Sequence, residues 1–321
     1  MSELINTSIY PVRDVLNILL KDKTTGKNII WATDAYATNG SGFLDRSQIT
    51  EDALNGSYSI KLQPRIEKEL EEQRTRTRKK AEVFTPVWIC NKMNNYCDEQ
   101  WFERSNVFNV ECSDNQWDVV DAKIIFPYDE NKKKKTKDWK HYVDSKRLEI
   151  TCGEAPYIVS RYDAASGNLI YPLFRRIGLL DRKLRVVNEN AQTDEEWIKW
   201  SVRALQSCYG YEYQGDSLLI ARINILLTFC DYYEERFKEK PDVKLLKSIS
   251  HFIVWNFWQM DGLNDTVPLG KPIVEFEQHD LFEMFPEAMH VQDEAKTEEA
   301  LPCRIYDWRA DRSVYFRDCK K

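Results

Sequence analysis

The sequence predicts an α/β protein built on a doubly wound, mainly parallel sheet, preceded by an α/β and helical extension. Three observations predict it. From Leu148 onward, short apolar strands alternate with helices, the order that a parallel sheet with helical crossovers imposes. The 321 residues are 42% apolar and 12% aromatic, enough for one large core or two ordinary ones. Three successive strand ends carry an acid or a tight turn, where open α/β sheets bind ligands.

Residues 1–75 read as the N-terminal extension. "VRDVLNILLKD" has helical spacing, "NIIWAT" reads as a strand, and "NGSG" as a loop. Pro64 opens a long, charged, solvent-facing helix that ends in "EVFTP". Residues 76–321 form the core. Thr85 suits an N-cap and Pro86 a first helical turn, where its missing N–H costs nothing. Ile89, Met93, Cys97 and Trp101 recur every four residues, which predicts the buried face of that helix. A polar connection around a strand "AKIIFPY" leads to the strand "LEIT", followed by a turn and a helix starting near Pro156. An insertion at about 162–192 precedes a helix capped by Thr193 and Glu196, with an apolar face of Trp197, Trp200, Ala204, Leu205 and Cys208. Then come strand "YGYEY", helix "SLLIARINILLTFCDYY", strand "FIVWNFWQ" and strand "CRIYDW".

The net charge of −6 argues against a protein that binds nucleic acid over its whole surface. Basic charge is local: "RTRTRKK" (74–80), "KKKK" (132–135) and "RRIGLLDRKLR" (175–185), each of which also fits a solvated face or loop. No apolar run reaches bilayer length and the N-terminus lacks the form of a signal peptide, so no membrane association is expected. Eight cysteines without a Cys-x-x-Cys pair predict reduced thiols in a cytoplasm, and four histidines without cysteine neighbours predict no metal site.

Glu149 stands beside Cys152-Gly153, where glycine permits a turn a side chain blocks and a helix start offers N–H groups. Glu212 ends "YGYE" and can accept hydrogen bonds from ribose hydroxyls; Asp261 in "NFWQMDGL" can accept an amino proton from a base. Singly, these also fit a strand-edge charge, a helix cap and a turn residue before Gly262.

Together these segments resemble the adenine-N6 DNA methyltransferases of restriction-modification systems, in the group whose cofactor motifs precede the catalytic one. "AEVFTP" resembles the Phe-Thr-Pro turn that packs on the methionine part of S-adenosylmethionine, which implies that role for Phe84, Thr85 and Pro86. "LEITCGEAPY" resembles the Asp-Pro-x-Cys-Gly-x-Gly-x-Phe loop, with Glu149 at the aspartate, Cys152 and Gly153 matching, and Tyr157 at the closing aromatic. "GYEYQGDSLLIARIN" resembles the ribose-binding motif, implying Glu212 and Tyr213, and "FWQMDGL" the adenine-holding segment, implying Asp261 with Leu263 on the ring. The match runs over roughly residues 76–263, with a long gap between Glu149 and Glu212. Ile150 replaces the proline of the loop, and Ala155 replaces its second glycine, which crowds the turn. The family's Asp/Asn-Pro-Pro-aromatic motif, which holds and stacks a flipped adenine, has no Pro-Pro counterpart; Asp307 and Trp308 in "PCRIYDW" offer the acid and the aromatic, and also fit a strand end packed on the core.

The resemblance implies an S-adenosylmethionine-dependent methyltransferase-like fold with S-adenosylmethionine as cofactor and double-stranded DNA as substrate. About thirteen residues follow "YDW", so a partner chain is the expected source of target recognition. Arg76, Arg78, Lys79 and Lys80, just before "EVFTP", are the expected phosphate contacts. The alternatives are a catalytically inactive binding or regulatory subunit, a structural interaction module and, more remotely, a restriction nuclease, for which no converging carboxylates follow a strand.

Overall fold

The computed structural model describes residues 4–68, 85–129, 134–135, 137–270 and 300–320. In chain order the elements are α1 (Leu16–Leu19), α2 (Glu51–Asn55), α3 (Val87–Phe102), the hairpins β1 (Asn109–Glu111)–β2 (Trp117–Val119) and β3 (Tyr128–Asp129)–β4 (Lys134–Lys135), then α4 (Trp139–Val143) and β5 (Arg147–Ile150). There follow α5 (Leu179–Asn190), α6 (Asp194–Gln206), β6 (Cys208–Glu212), α7 (Gly215–Phe237), α8 (Val243–Asn256), β7 (Phe257–Gln259) and the antiparallel pair β8 (Arg304–Asp307)–β9 (Arg312–Tyr315).

The parallel sheet is small: β5, β6 and β7, with β6 in the centre. Both crossovers are helical, α5–α6 and α7–α8, as the alternation in the sequence suggests, but "FIVWNFWQ" is a strand only at Phe257–Gln259; its first five residues end α8. Among the described residues the parallel sheet ends at these three strands, and the second winding of a doubly wound sheet is not seen. On one face Cys208 and Phe257 join the apolar side chains of α5–α8 in the main core. On the other, Tyr209, Tyr211 and Trp258 pack with Cys303, Ile305 and Phe316 of the C-terminal hairpin and the turn after it. The expected fourth strand "CRIYDW" therefore pairs with β9 and lies over the sheet. Asp307 closes the hairpin turn by accepting from the N–H groups of Arg309 (2.9 Å) and Ala310 (3.2 Å).

Gly210 lets the layers of the main core close. A Cβ there would stand 2.9 Å from both the Cys152 Cβ and the Phe257 ring. The helix α7 beneath is buried on nearly every side, as a helix apolar all round must be. Two of its buried polar residues, Arg222 and Asn224, have structural work. The Arg222 guanidinium donates to the carbonyl oxygens of Phe257 (2.8 Å) and Lys21 (3.0 Å), and to that of Leu19. Asn224 reaches the carboxyl ends of β5 and β6.

The extension is less regular than expected. Only Leu16–Leu19 is α-helical within "VRDVLNILLKD", and "NIIWAT" makes only isolated bridges. The side-chain amide of Gln259 takes the place of a strand partner, accepting from Ile30 N–H (2.9 Å) and donating to Ile30 O (2.8 Å). Val12, Val15, Leu16, Leu19 and Trp31 bury themselves in the same core as α7 and α8. A single 3₁₀ turn (Arg65–Glu67) follows Pro64; the remainder of the charged segment lies outside the described residues.

The buried face of α3 is shifted by one residue from the expected one. Cys90, Asn91, Asn94, Asp98 and Phe102 are buried, whereas Met93 is 49% exposed and Ile89, Cys97 and Trp101 are half-buried. The cause is a buried cation: Arg182 on α5 donates to Asp98 Oδ2 (2.7 Å), Asn91 Oδ1 (2.9 Å) and Asn95 Oδ1 (2.8 Å). Asn91 and Asn109 exchange amide hydrogen bonds, and Tyr142 Oη donates to Asp98 Oδ1 (2.9 Å). A buried charge needs such partners, so polar residues here outcompete apolar ones for the inner face. The basic block 175–185 is accordingly interior. Arg176, Arg182 and Lys183 are buried, and Arg176 pairs with Asp231 at 2.7 Å. Half of the expected α6 capping box forms: Thr193 Oγ1 accepts from Glu196 N–H (3.2 Å), while Glu196 Oε2 accepts from Gln192 N–H (3.0 Å) and not from Thr193.

Candidate functional site

The carboxyl ends of β5 and β6 open into a cleft of ≈ 160 Å³. Thr85, Glu149, Cys152, Gly153, Tyr157 and Glu212 all line it, joined by Glu154, Arg161, Tyr162 and Asn224. The loop after β5 makes its floor. Cys152 N–H continues the ladder to Tyr211 O (2.8 Å), and Ala155 N–H turns back onto Cys152 O (2.6 Å). Gly153 has φ +51°, and the direction its Cβ would take is open space, so the backbone presents a bare surface to the cleft. Ala155 adopts φ +64° with its methyl fully buried. The side chain of Ala155 is therefore accommodated inward, at the backbone cost of a left-handed residue, about 1 kcal/mol. No helix begins at Pro156: residues 156–158 form a turn, and the expected free N–H groups at 153 and 157 are engaged by acids.

Those acids are Glu212 and Glu149. Glu212 Oε2 accepts from Gly153 N–H (2.9 Å), while Oε1 accepts from Tyr213 N–H (2.9 Å) and Gln214 N–H (3.2 Å). One carboxylate thus ties the two strand-end loops together. Glu149 Oε1 accepts from Tyr157 N–H (3.3 Å), folding the loop over, and its Oε2 has no partner although it is buried. Burial pushes the Glu149 carboxyl well above the usual carboxylate range, and the nearby Glu212 adds to it. Burial raises Glu212 as well, with Asp216 contributing. Burial also pushes the Cys152 thiol well above its ordinary range.

Thr85 reaches this cleft because α3 is clamped to the loop. Asn94 Nδ2 donates to Tyr157 O and Ile177 O, each at 2.9 Å. Pro86, at the N-cap of α3, has no side-chain cap; Thr85 instead faces the Tyr157 hydroxyl across the rim. Phe84 and the basic residues Arg76, Arg78, Lys79 and Lys80 lie outside the described residues.

Five other expected site residues are elsewhere. Asp261 closes a turn after β7, accepting from Leu263 N–H (2.9 Å) and Asn264 Nδ2 (2.8 Å), and is not in the cleft wall. Leu263 points to solvent, 96% exposed. Tyr213 contributes its backbone to Glu212, while its ring stays outside the cleft. Asp307 and Trp308 are at the opposite end of the sheet. They border Lys146 and Ser207, the residues that lead into β5 and β6, and Trp308 Nε1 donates to Asn256 Oδ1 (2.7 Å). Their pairing into a hairpin removes them from the strand position the sequence suggested.

Sequence reasoning missed Glu154, Arg161, Tyr162 and Asn224. Glu154 anchors the loop, accepting from Arg65 N–H (2.6 Å) and Tyr162 Oη (2.7 Å). Asn224 could have been found: an amide amid "IARINILLTF" needs a buried partner. No family model, curated protein or solved structure matches the chain. Among the described residues no helix is long and apolar enough to cross a membrane.

Proposed function

We propose that the cleft binds S-adenosylmethionine and that the chain is the cofactor-binding component of a DNA adenine-N6 methyltransferase, completed by a partner chain that supplies base extrusion and target recognition. One observation carries this reading: Thr85, Glu149, Gly153, Tyr157 and Glu212, drawn from three separate segments, line one cleft at the carboxyl ends of adjacent parallel strands. The order β5-β6-β7 supports it, because adjacent parallel strands joined by helical crossovers leave room for a ligand outside their carboxyl ends. Glu212 can accept from ribose hydroxyls with the lone pairs its backbone donors leave. Glu149 Oε2, buried without a hydrogen-bond partner, would serve the cationic end of the ligand. The methyl on a sulfonium sulfur is already electrophilic, so a protein need only hold it in line with the acceptor nitrogen.

The position of Asp307 and Trp308 favours a chain that binds cofactor without transferring the methyl group alone. Incubation with methyl-labelled S-adenosylmethionine and adenine-containing duplex DNA is expected to give no labelled DNA with this chain alone, and labelled DNA once the partner gene product is added. Transfer by the chain alone that disappears in Asp307→Ala would contradict the assignment.

The reading also predicts a pH dependence. A cationic ligand stabilises ionised Glu149, whose pKa in the free protein is raised by burial and by Glu212. Affinity for S-adenosylmethionine should therefore rise with pH through that raised pKa, with proton release on binding. Calorimetry in buffers of different ionisation heats measures this, and Glu149→Gln should abolish the linkage.

A further inference from the structure

We infer that Arg161 is the residue that reads a carboxylate on the ligand of this cleft; on the reading above, the methionyl carboxylate of S-adenosylmethionine. Among the described residues, the charged side chains lining the cleft are Glu149, Glu154, Glu212, Arg65 and Arg161. A ligand with an ammonium and a sulfonium finds acids there in Glu149 and Glu212. Its carboxylate needs a cation.

Arg161 is a cation held ready but weakly engaged. Its side chain retains only 10% of its exposure, so water does little to solvate it. Its protein contacts are both at the long limit: Nε to Asp231 Oδ2 at 3.5 Å and Nη1 to Asn224 Oδ1 at 3.5 Å. That Asp231 oxygen has a closer partner, Arg176 Nη2 at 2.7 Å. A buried guanidinium presents five donors in a planar fork, and two long contacts leave most of that capacity for a planar acceptor in the cleft. The surroundings fix its direction. Asn224 spends its Nδ2 on Tyr162 Oη (3.1 Å) and Glu154 O (3.3 Å), which turns its Oδ1 toward Arg161. Tyr162 is itself pinned by Glu154 Oε2. The loop that forms the cleft floor thus also sets the position of Arg161, a positioning chain running Glu154–Tyr162–Asn224–Arg161.

The test compares two ligands that differ in the amino-acid end. S-adenosylhomocysteine carries the carboxylate; 5′-methylthioadenosine keeps the adenosine and thioether without it. In calorimetric titrations Arg161→Ala should weaken S-adenosylhomocysteine about 10- to 100-fold, as expected for a charge-assisted bidentate pair, and leave 5′-methylthioadenosine within about 2-fold. Arg161→Lys, which keeps the charge and the Asp231 contact but not the fork, should restore part of the difference. Equal weakening of both ligands would assign Arg161 a structural role and overturn the inference, as would no change for either. Failure of the cofactor reading appears separately: folded wild-type protein that binds neither ligand removes that reading and this one with it.

Discussion

Asp98→Ala is expected to destabilise the protein by about 3–5 kcal/mol, the cost of stripping a buried cation of its carboxylate. Arg182 and Asp98 are each 1% exposed and meet at 2.7 Å. Tyr142 Oη and Arg147 Nη2 also depend on Asp98 Oδ1 (2.9 and 3.5 Å). Without it, Arg182 retains only the amide oxygens of Asn91 and Asn95. In a thermal melt the loss should appear as a fall of roughly 10 °C, taking about 2–4 °C per kcal/mol for a domain of this class. Met93→Ala is the control. Met93 lies on the face that the four-residue repeat marks as buried, yet it is 49% exposed, and its replacement should change stability by less than about 0.5 kcal/mol. If Met93→Ala proves the more damaging of the two, the buried face of α3 is the one the repeat marks.

Glu212→Ala is the second large effect, and it falls on binding. Three backbone N–H groups, at Gly153, Tyr213 and Gln214, share this carboxylate. Each buried donor left without an acceptor costs about 1–3 kcal/mol, so both strand-end loops lose their common anchor. On the proposed reading the ribose loses its acceptor at the same time. Affinity for S-adenosylhomocysteine should fall at least about 100-fold, the equivalent of roughly 2.7 kcal/mol. Asp261→Ala, by contrast, should leave affinity within about 2-fold, because Asp261 serves only the turn to Leu263 and Asn264. An Asp261→Ala variant that loses binding as severely as Glu212→Ala would place the adenine end of the ligand where the resemblance, and not the cleft, puts it.

The two sequence-predicted acids that line the cleft were legible because their positions follow from strand alternation. Glu149 and Glu212 end strands whose neighbours are apolar, and a parallel sheet brings such ends together whatever the connections between them. Thr85 was legible by resemblance; what holds it there, Asn94 on the Tyr157 carbonyl, was not. The misreadings share a cause. Period-four spacing of Ile89, Met93, Cys97 and Trp101 assumes that the inner face is apolar, and Arg182 overrides that assumption by demanding Asp98, Asn91 and Asn95. The block 175–185 looked like a solvated basic face because charge is scored without its partners; Asp98 and Asp231, far along the chain, supply them. "CRIYDW" read as one more parallel strand because its hairpin partner "RSVY" is short and its turn lacks a glycine; Asp311 takes the left-handed conformation instead, at φ 52°. Asp261 resembled a base-binding acid, but an aspartate before Gly262 and Asn264 also closes a turn, and here it does.

The central claim is that this cleft binds S-adenosylmethionine, and calorimetric titration of the full chain with S-adenosylmethionine tests it most directly. The account predicts saturable binding at one site per chain, abolished in Glu212→Ala and unchanged in Asp307→Ala. Folded wild-type protein that gives no binding signal at millimolar ligand, or binding that survives Glu212→Ala intact, would contradict it.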